Sequence, residues 1–413
     1  MDSASAAAAP TSATPHATST HALAGNYNLA VGYLRAFITL LVLAHHSVLA
    51  YHPYAPAPPA TLVAQPQLWQ AFPVVDAHRS MVFSFLVGFN DIFFMSLMFF
   101  LSGLFVYRSL ERKGVGAFLR DRLLRLGLPF VVAAAVIAPL AYYPAYLMTA
   151  SPTGVAGYWQ QWRALGHWPA GPAWFIWLLL AFDVLAAALF AFAPRLLAWL
   201  GRAVSGSSAR PVSLFLLIAG VSALTYIPMA VRFTAERWSA FGPFAFQTSR
   251  LIHYLAYFVI AIAVGATAMP RGLFSSEGKL ARRSPLWTSA MVLIYFALVA
   301  FFIAMLSGIG KSWPWSIVLG GLWVLSCAAS CFGFMSLFAR FATRRVAAFD
   351  SLTENAYGMY LIHYAFVSWL QLALLRIAMP GLAKGALVTL ATIALSWATT
   401  SALRRIPAVA RVI

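Results

Sequence analysis

Ten long apolar runs dominate the chain, each close to the roughly 20 mainly apolar residues that a helix needs to cross the hydrocarbon core of a bilayer. They lie near Leu29–Tyr51, Val82–Tyr107, Leu126–Met148, Pro172–Phe192, Pro211–Val231, Leu251–Met269, Leu286–Leu306, Ser316–Phe338, Ala356–Met379 and Ala383–Leu403. The runs are too long for barrel strands and lack period-two alternation. The pattern therefore predicts an all-α integral membrane protein with about ten transmembrane helices. Tyr51–Ser80, which holds Pro53, Pro56, Pro58, Pro59, Pro66 and Pro73, reads as a long irregular external loop. Thr149–Gly171, with Trp159, Trp162, His167 and Trp168, reads as another. Aromatic residues there fit an interfacial belt, and they also suit stacking against carbohydrate. Met1 to about Gly25 is rich in Ala, Ser, Thr and Pro, without Lys or Arg. It lacks the charged start and compact apolar core of a signal peptide, so residues 1–25 are expected to form a disordered cytoplasmic extension. Residues 26–413 then form a single ten-helix membrane domain.

Composition agrees: 62% of the 413 residues are hydrophobic and only 9% charged, too few charges to cover a soluble domain of this length. The formal charge of +18 could suggest a nucleic-acid partner, but the basic residues sit between the apolar runs and so speak to topology. One side of the expected membrane collects Arg108, Arg112, Lys113, Arg120, Arg122, Arg125, Arg195, Arg202, Arg210, Arg271, Lys279, Arg282, Arg283, Arg340, Arg344, Arg345, Arg404, Arg405 and Arg411. The other has only Arg79, Arg163, Arg232, Arg237, Arg250, Lys311, Arg376 and Lys384. The richer side is cytoplasmic by the positive-inside rule, which puts both chain ends inside. Cys327 and Cys331, four apart in an apolar run without His or acid at ligand spacing, read as core thiols, and no metal site is expected.

Ionisable residues inside spans are costly, roughly 2.5–3.5 kcal/mol at a helix centre, so each is a functional candidate. The first span, "YLRAFITLLVLAHHSVLAY", contains Arg35, His45 and His46. Arg35 and His46 are eleven residues apart, about three turns plus roughly 20°, and so share one face with an axial separation of about 16 Å. Alone, Arg35 reads as a snorkelling anchor and His46 as a hydrogen-bonded core histidine. Together they suggest an elongated internal site, Arg35 towards the cytoplasm and His46 towards the outside. His45 points about 100° away and is secondary. The second span adds Asn90 and Asp91 in its outer half and Ser102–Gly103 near its inner end. Asp91 could orient a histidine or hold a cation, while Ser102 and Gly103 also suit helix packing. Asp183 and His253 are further candidates. In the ninth span Tyr357, Tyr360 and Tyr364 fall on adjoining faces beside His363, either a hydrogen-bonded cluster or the lining of a substrate channel.

Four blocks in order, Arg35 to His46, "FFLSGLFVYRSLERKG" with "FLRDRLLRLGLPF", "PAWFIWLLL" around Trp174, and "AYGMYLIHY", resemble the acyltransferase-3 superfamily of membrane O-acyltransferases over nearly the whole chain from Asn26. The second and third blocks look most like the branch that includes the periplasmic-glucan C proteins. The resemblance implies transfer of an acyl group, acetyl or succinyl, from cytoplasmic acyl-CoA to a hydroxyl of an extracytoplasmic glycan, in a bacterial inner membrane. It implies that His46 is the essential histidine, with Arg35 its partner in the motif and Arg122 and Arg125 at the matching basic positions. Bottom-up chemistry gives the roles. Neutral histidine suits a general base, so His46, with Asp91, is the catalytic candidate. Direct transfer is preferred over an acyl-histidine intermediate. Arg35, Ser102, Arg122 and Arg125 are the candidates for binding CoA, the arginines because cationic side chains suit phosphates. Trp174, Tyr360 and His363 are candidates for the substrate channel. The rival reading is a transporter or flippase, proton-coupled through His46 and Asp91. Such proteins often carry broken helices at matching positions in two halves, and no such pair is found here.

Overall fold

The long apolar runs become a helical bundle in the computed structural model, which describes residues 15–64, 66–208, 210–267, 272–308 and 313–413. Its principal helices are α1 (Pro15–Val48), α2 (Val82–Gly103), α3 (Val115–Leu147), α4 (Trp174–Phe192) and α5 (Pro211–Phe233). They continue as α6 (Leu251–Gly265), α7 (Ser284–Leu306), α8 (Trp313–Phe341), α9 (Ala347–Leu374) and α10 (Gly381–Leu403). Among the described residues nine helices are long and apolar enough to cross a membrane. The tenth expected span is α9, which fails on composition rather than length. Its 28 residues would span about 42 Å, but they include Asp350, Glu354, Asn355, His363, Ser368 and Gln371. Two of them, His363 and Gln371, belong to the site described below.

Several boundaries differ from those the hydropathy implies. The segment from Pro15 to Gly25, expected to be disordered, belongs to α1. Its alanines have the highest helix propensity, and propagation from an existing helix avoids the unfavourable nucleation step. Residues 1–14 of that extension lie outside the described residues, as do Arg271 and Lys311. The two external loops are not wholly irregular: Pro66–Ala71 and Gly154–Ala164 are short helices. Tyr158 and Trp162 bury one face of the second, and the Tyr158 hydroxyl donates to Pro139 O at 2.7 Å. An antiparallel hairpin, β1 (Trp238–Phe241) and β2 (Phe244–Gln247), interrupts the otherwise all-α fold. Gly242, at φ +54° in its two-residue connection, supplies the positive φ that tight hairpins favour.

α1 runs through the middle, packed by α2, α8, α9 and α10. α2 and α6 approach closely: a Cβ on Gly103 would collide with Phe258 O, and one on Gly265 with Leu104 O. This is the small-residue packing that lets membrane helices exploit dispersion where no hydrophobic drive exists between them.

Prolines shape α3. A proline gives no N–H to the carbonyl one turn earlier. Two π-helical segments, Leu123–Gly127 and Ala133–Ile137, widen the helix, and each ends two residues before a proline, Pro129 and Pro139. The carbonyls deprived of partners are met from outside. Tyr357 Oη donates to Arg125 O at 2.6 Å, Trp168 Nε1 to Ala134 O at 2.8 Å, and Trp369 Nε1 to Leu140 O, four before Pro144, at 3.0 Å.

The loop after α1 is fastened by a buried ion pair. Lys384 Nζ meets Asp76 Oδ2 at 2.6 Å, with side-chain exposures of 0% and 1%. Asp76 N donates to Ala50 O and its other carboxylate oxygen accepts from His78 N.

Candidate active site

α1 and α9 bring two histidines together. His363 is fully buried, and its Nε2 lies 3.1 Å from His46 Nδ1. The hydrogen bonds assign the neutral tautomers. His363 Nδ1 lies 2.6 Å from Tyr360 O, a pure acceptor, so Nδ1 carries the proton and Nε2 presents a lone pair. His46 Nδ1 lies 3.0 Å from Val42 O as well as near that lone pair, so Nδ1–H is the donor to both. The His46 Nε2 lone pair is then left without a partner among the described residues. Tyr364 packs edge-on against the His46 ring at 5.2 Å, and Gln371 Nε2 donates at 3.0 Å to the carbonyls of both His46 and Ser47. Residues 360, 363, 364 and 371 recur at helical spacing, so one face of α9 holds the end of α1. His45 turns away, its ring 5.3 Å from Phe94.

Two loops roof this end. The Gln70 carbonyl accepts from Tyr364 Oη at 2.8 Å and from Tyr142 Oη at 3.2 Å. The Gln70 side-chain amide donates to His167 Nε2 at 2.8 Å, while Leu62 N donates to Gln161 Oε1. The loop after α1 and the 149–171 segment are thus stitched to each other and to α9.

The other end of α1 is basic. Arg35 is exposed although Leu34 and Ala36 beside it are buried, and it is within electrostatic reach of Arg122 and Tyr357. Arg122 Nε pairs at 3.2 Å with the buried Asp183, and its guanidinium lies 4.9 Å from the Phe118 ring centre. Arg125 is exposed, its backbone held by Tyr357. Arg35 and Arg122 therefore come near each other beside Tyr357 of α9, which also holds the Arg125 backbone, about 16 Å along α1 from His46.

Other candidates lie elsewhere. Asp91 pairs with Arg250, Oδ2 to Nη2 at 2.5 Å, and its carbonyl accepts from Arg250 Nη1. No hydrogen bond joins Asp91 to His46 among the described residues. Arg250 is itself 4.9 Å from the Trp323 ring centre. Trp174 stacks on Tyr254 and meets Trp238 edge-on. Ser102 sits beside the close α2–α6 approach. Tyr360 donates to Pro172 O, joining α9 to the start of α4. His253 bonds Ser96 Oγ at 3.0 Å in the α2–α6 interface. Gln371 and Tyr142 were not singled out from the sequence. Gln371 continues the polar stripe of α9 eight residues beyond His363, a signal the spacing does carry.

The fold is that of a polytopic helical membrane protein with a pair of histidines in contact inside the bundle and arginines about three turns away along α1. The family model described as an acyltransferase domain, that of the acyltransferase-3 family, matches residues 28–401, and the chain belongs to that family. Neither a curated protein nor a solved structure matches it. The protein is thus a multi-pass membrane acyltransferase.

Proposed function

We propose that the protein moves an acyl group from cytoplasmic acyl-CoA to a hydroxyl of an extracytoplasmic glycan, in a bacterial inner membrane, with both chain ends in the cytoplasm and His46 as general base. The observation that carries this reading is the unpartnered Nε2 lone pair of His46, oriented by His363 and Val42, on the same helix face as Arg35. A neutral imidazole nitrogen aimed into a site is the group that can take a hydroxyl proton as the oxygen attacks.

The charged nucleotide of the donor stays at the inner end with Arg35, Arg122 and Arg125, whose guanidinium groups suit phosphate. Its thin pantetheine arm reaches along α1 to His46. There the acceptor oxygen forms a bond to the thioester carbonyl carbon while its proton passes to His46 Nε2. The carbon–sulfur bond breaks, the sulfur leaves with the electron pair, and the proton on Nε2 is returned to it, giving free CoA. As His46 becomes cationic, its Nδ1–H bond to His363 becomes charge-assisted and strengthens. In this reading Asp91 serves through Arg250 to brace α2 against α6, and Ser102 through packing. Trp174, Tyr360 and His363 form walls of the passage.

Purified protein in liposomes, supplied with labelled acyl-CoA and acceptor glycan, tests the proposal. Turnover should fall by roughly 10²–10⁴-fold in His46→Ala while the variant still inserts and melts as the parent does. Undiminished turnover would remove His46 from the mechanism, and glycan movement without acyl transfer would favour a flippase.

A further inference from the structure

The pair formed by Asp91 and Arg250 is lopsided. The guanidinium side chain is 5% exposed, beneath the Trp323 ring, whereas the carboxylate side chain is 45% exposed. Asp91 Oδ2 serves the ion pair, and no hydrogen bond reaches Oδ1 among the described residues. A brace between α2 and α6 needs neither the exposure nor the spare oxygen. Asp91 also stands nine residues, about 14 Å, along α2 from its outer end, where a carboxylate facing hydrocarbon is costly.

Its surroundings are protein rather than lipid. Phe94, buried and one turn further along α2, has its ring 5.3 Å from that of His45. His45 is within electrostatic reach of both Asp91 and Arg250. The end of α1 is open here as well: Ala44, His45 and His46 are half-buried, between Leu43 and Ser47, which are fully buried. His45 Nδ1 has no hydrogen-bond partner among the described residues. The exposed carboxylate therefore faces a wet cleft between α1, α2 and the start of α6, and the next residue along α1 from His45 is His46. Tyr254, within reach of Arg250, carries the wall on to the half-buried Trp174, against which it stacks at 5.9 Å.

We propose that Asp91 holds the acceptor: its spare Oδ1 accepts a hydrogen bond from one hydroxyl of a neutral sugar unit, while a nearby hydroxyl of the same unit is presented to His46. The proposal rests on the reading of His46 as the base, which fixes where the reacting hydroxyl must lie. The lopsided pair gives the chemical class. With the cation covered and the carboxylate offered, this part of the cleft accepts hydrogen bonds and repels anions, so a phosphorylated or carboxylated sugar unit is disfavoured. Trp174 supplies an apolar face suited to the C–H side of a sugar ring. Bracing uses Oδ2 and binding uses Oδ1, so one residue does both.

Two readouts on the reconstituted full chain test this. The first needs no turnover. A membrane-impermeant methanethiosulfonate added from outside should modify His45→Cys but not Leu43→Cys, at a fully buried position, with the parent giving the background from the buried Cys327 and Cys331. An unmodified His45→Cys closes the cleft and overturns the proposal. The second compares kcat/KM for acyl transfer to methyl β-D-glucopyranoside and to its monodeoxy analogues. In the parent, removing one hydroxyl other than the acylated one should slow transfer about 10- to 150-fold, the range of a hydrogen bond to a charged group. Asp91→Ala combined with Arg250→Met removes the pair without stranding a buried charge, and should abolish that discrimination. A ratio does not depend on how much of a variant is folded, so a merely lost brace leaves it unmoved. Unchanged discrimination in the double variant, or no transfer to any of these glucosides by the parent, overturns the proposal. Lost discrimination in the double variant alongside full activity in His46→Ala would leave the acceptor site standing and remove only the base.

Discussion

Replacing His363 with leucine removes the acceptor of the His46 Nδ1 proton while keeping a buried side chain of similar bulk. The structure sets the size of the effect. Before reaction the bond between the two rings, 3.1 Å long, joins neutral groups, and such bonds contribute about 0.5–1.5 kcal/mol net. Once His46 has taken the acceptor proton, the same bond has a charged donor and is worth about 1.5–3 kcal/mol. Only the difference, about 1–1.5 kcal/mol, acts on the chemical step, which corresponds to roughly a 5- to 13-fold fall in kcat. The Nδ1 proton keeps its second acceptor, Val42 O at 3.0 Å, so Nε2 stays available and the loss should not approach that of His46→Ala. His363→Gln can both accept from His46 and donate to the Tyr360 carbonyl, and should recover most of the rate. The assay is acyl transfer in liposomes with kcat and KM resolved, beside a melting curve in detergent to show that the variants are folded. KM for the donor should not move. The reasoning fails if His363→Leu is as inactive as His46→Ala, which would make His363 the final proton acceptor, or if it is as active as the parent.

Two other changes follow from the ion pairs and the basic cluster. Lys384→Ala leaves the Asp76 carboxylate, 1% exposed, without its cation, and should destabilise the fold by about 3–5 kcal/mol in thermal unfolding, whereas Asp76→Asn combined with Lys384→Met should recover most of that loss. Arg35→Gln should raise KM for acyl-CoA roughly 10- to 100-fold with kcat nearly unchanged, because a charge-assisted contact to phosphate is held equally in the ground and transition states. Weaker inhibition by free CoA in the same variant checks that the loss is at the nucleotide end.

The bundle was legible in the sequence because hydrocarbon demands long apolar runs and leaves little else for them to do. Arg35 and His46 could be placed on one face by arithmetic alone; in the fold Arg35 lies near Tyr357 and His46 against His363, both on α9. Partnerships across the fold were not accessible in this way. Asp91 finds Arg250, 159 residues away, and His46 finds His363, 317 residues away. Spacing along one helix gives the direction of a side chain but not the helix that faces it. The hairpin at 238–247 and the helix at 154–164 escaped for another reason. Their apolar residues are too few for a span, and the aromatic packing that orders them is tertiary. The π segments of α3 were hidden as well, although Pro129, Pro139 and Pro144 announced that its backbone could not be regular.

Those prolines bear on how the protein is made. Membrane helices usually satisfy their own backbone before they meet a neighbour, which is what lets them enter the bilayer one at a time. α3 does so only in part. The donors for Arg125 O and Leu140 O stand on α9, 232 and 229 residues later in the chain. A nascent chain that has inserted six or seven helices therefore holds α3 with carbonyls still bare. Its register and curvature become final only when Tyr357 and Trp369 arrive. A helix synthesised late thus completes the hydrogen bonding of an early one, and the same helix, α9, carries His363 to His46.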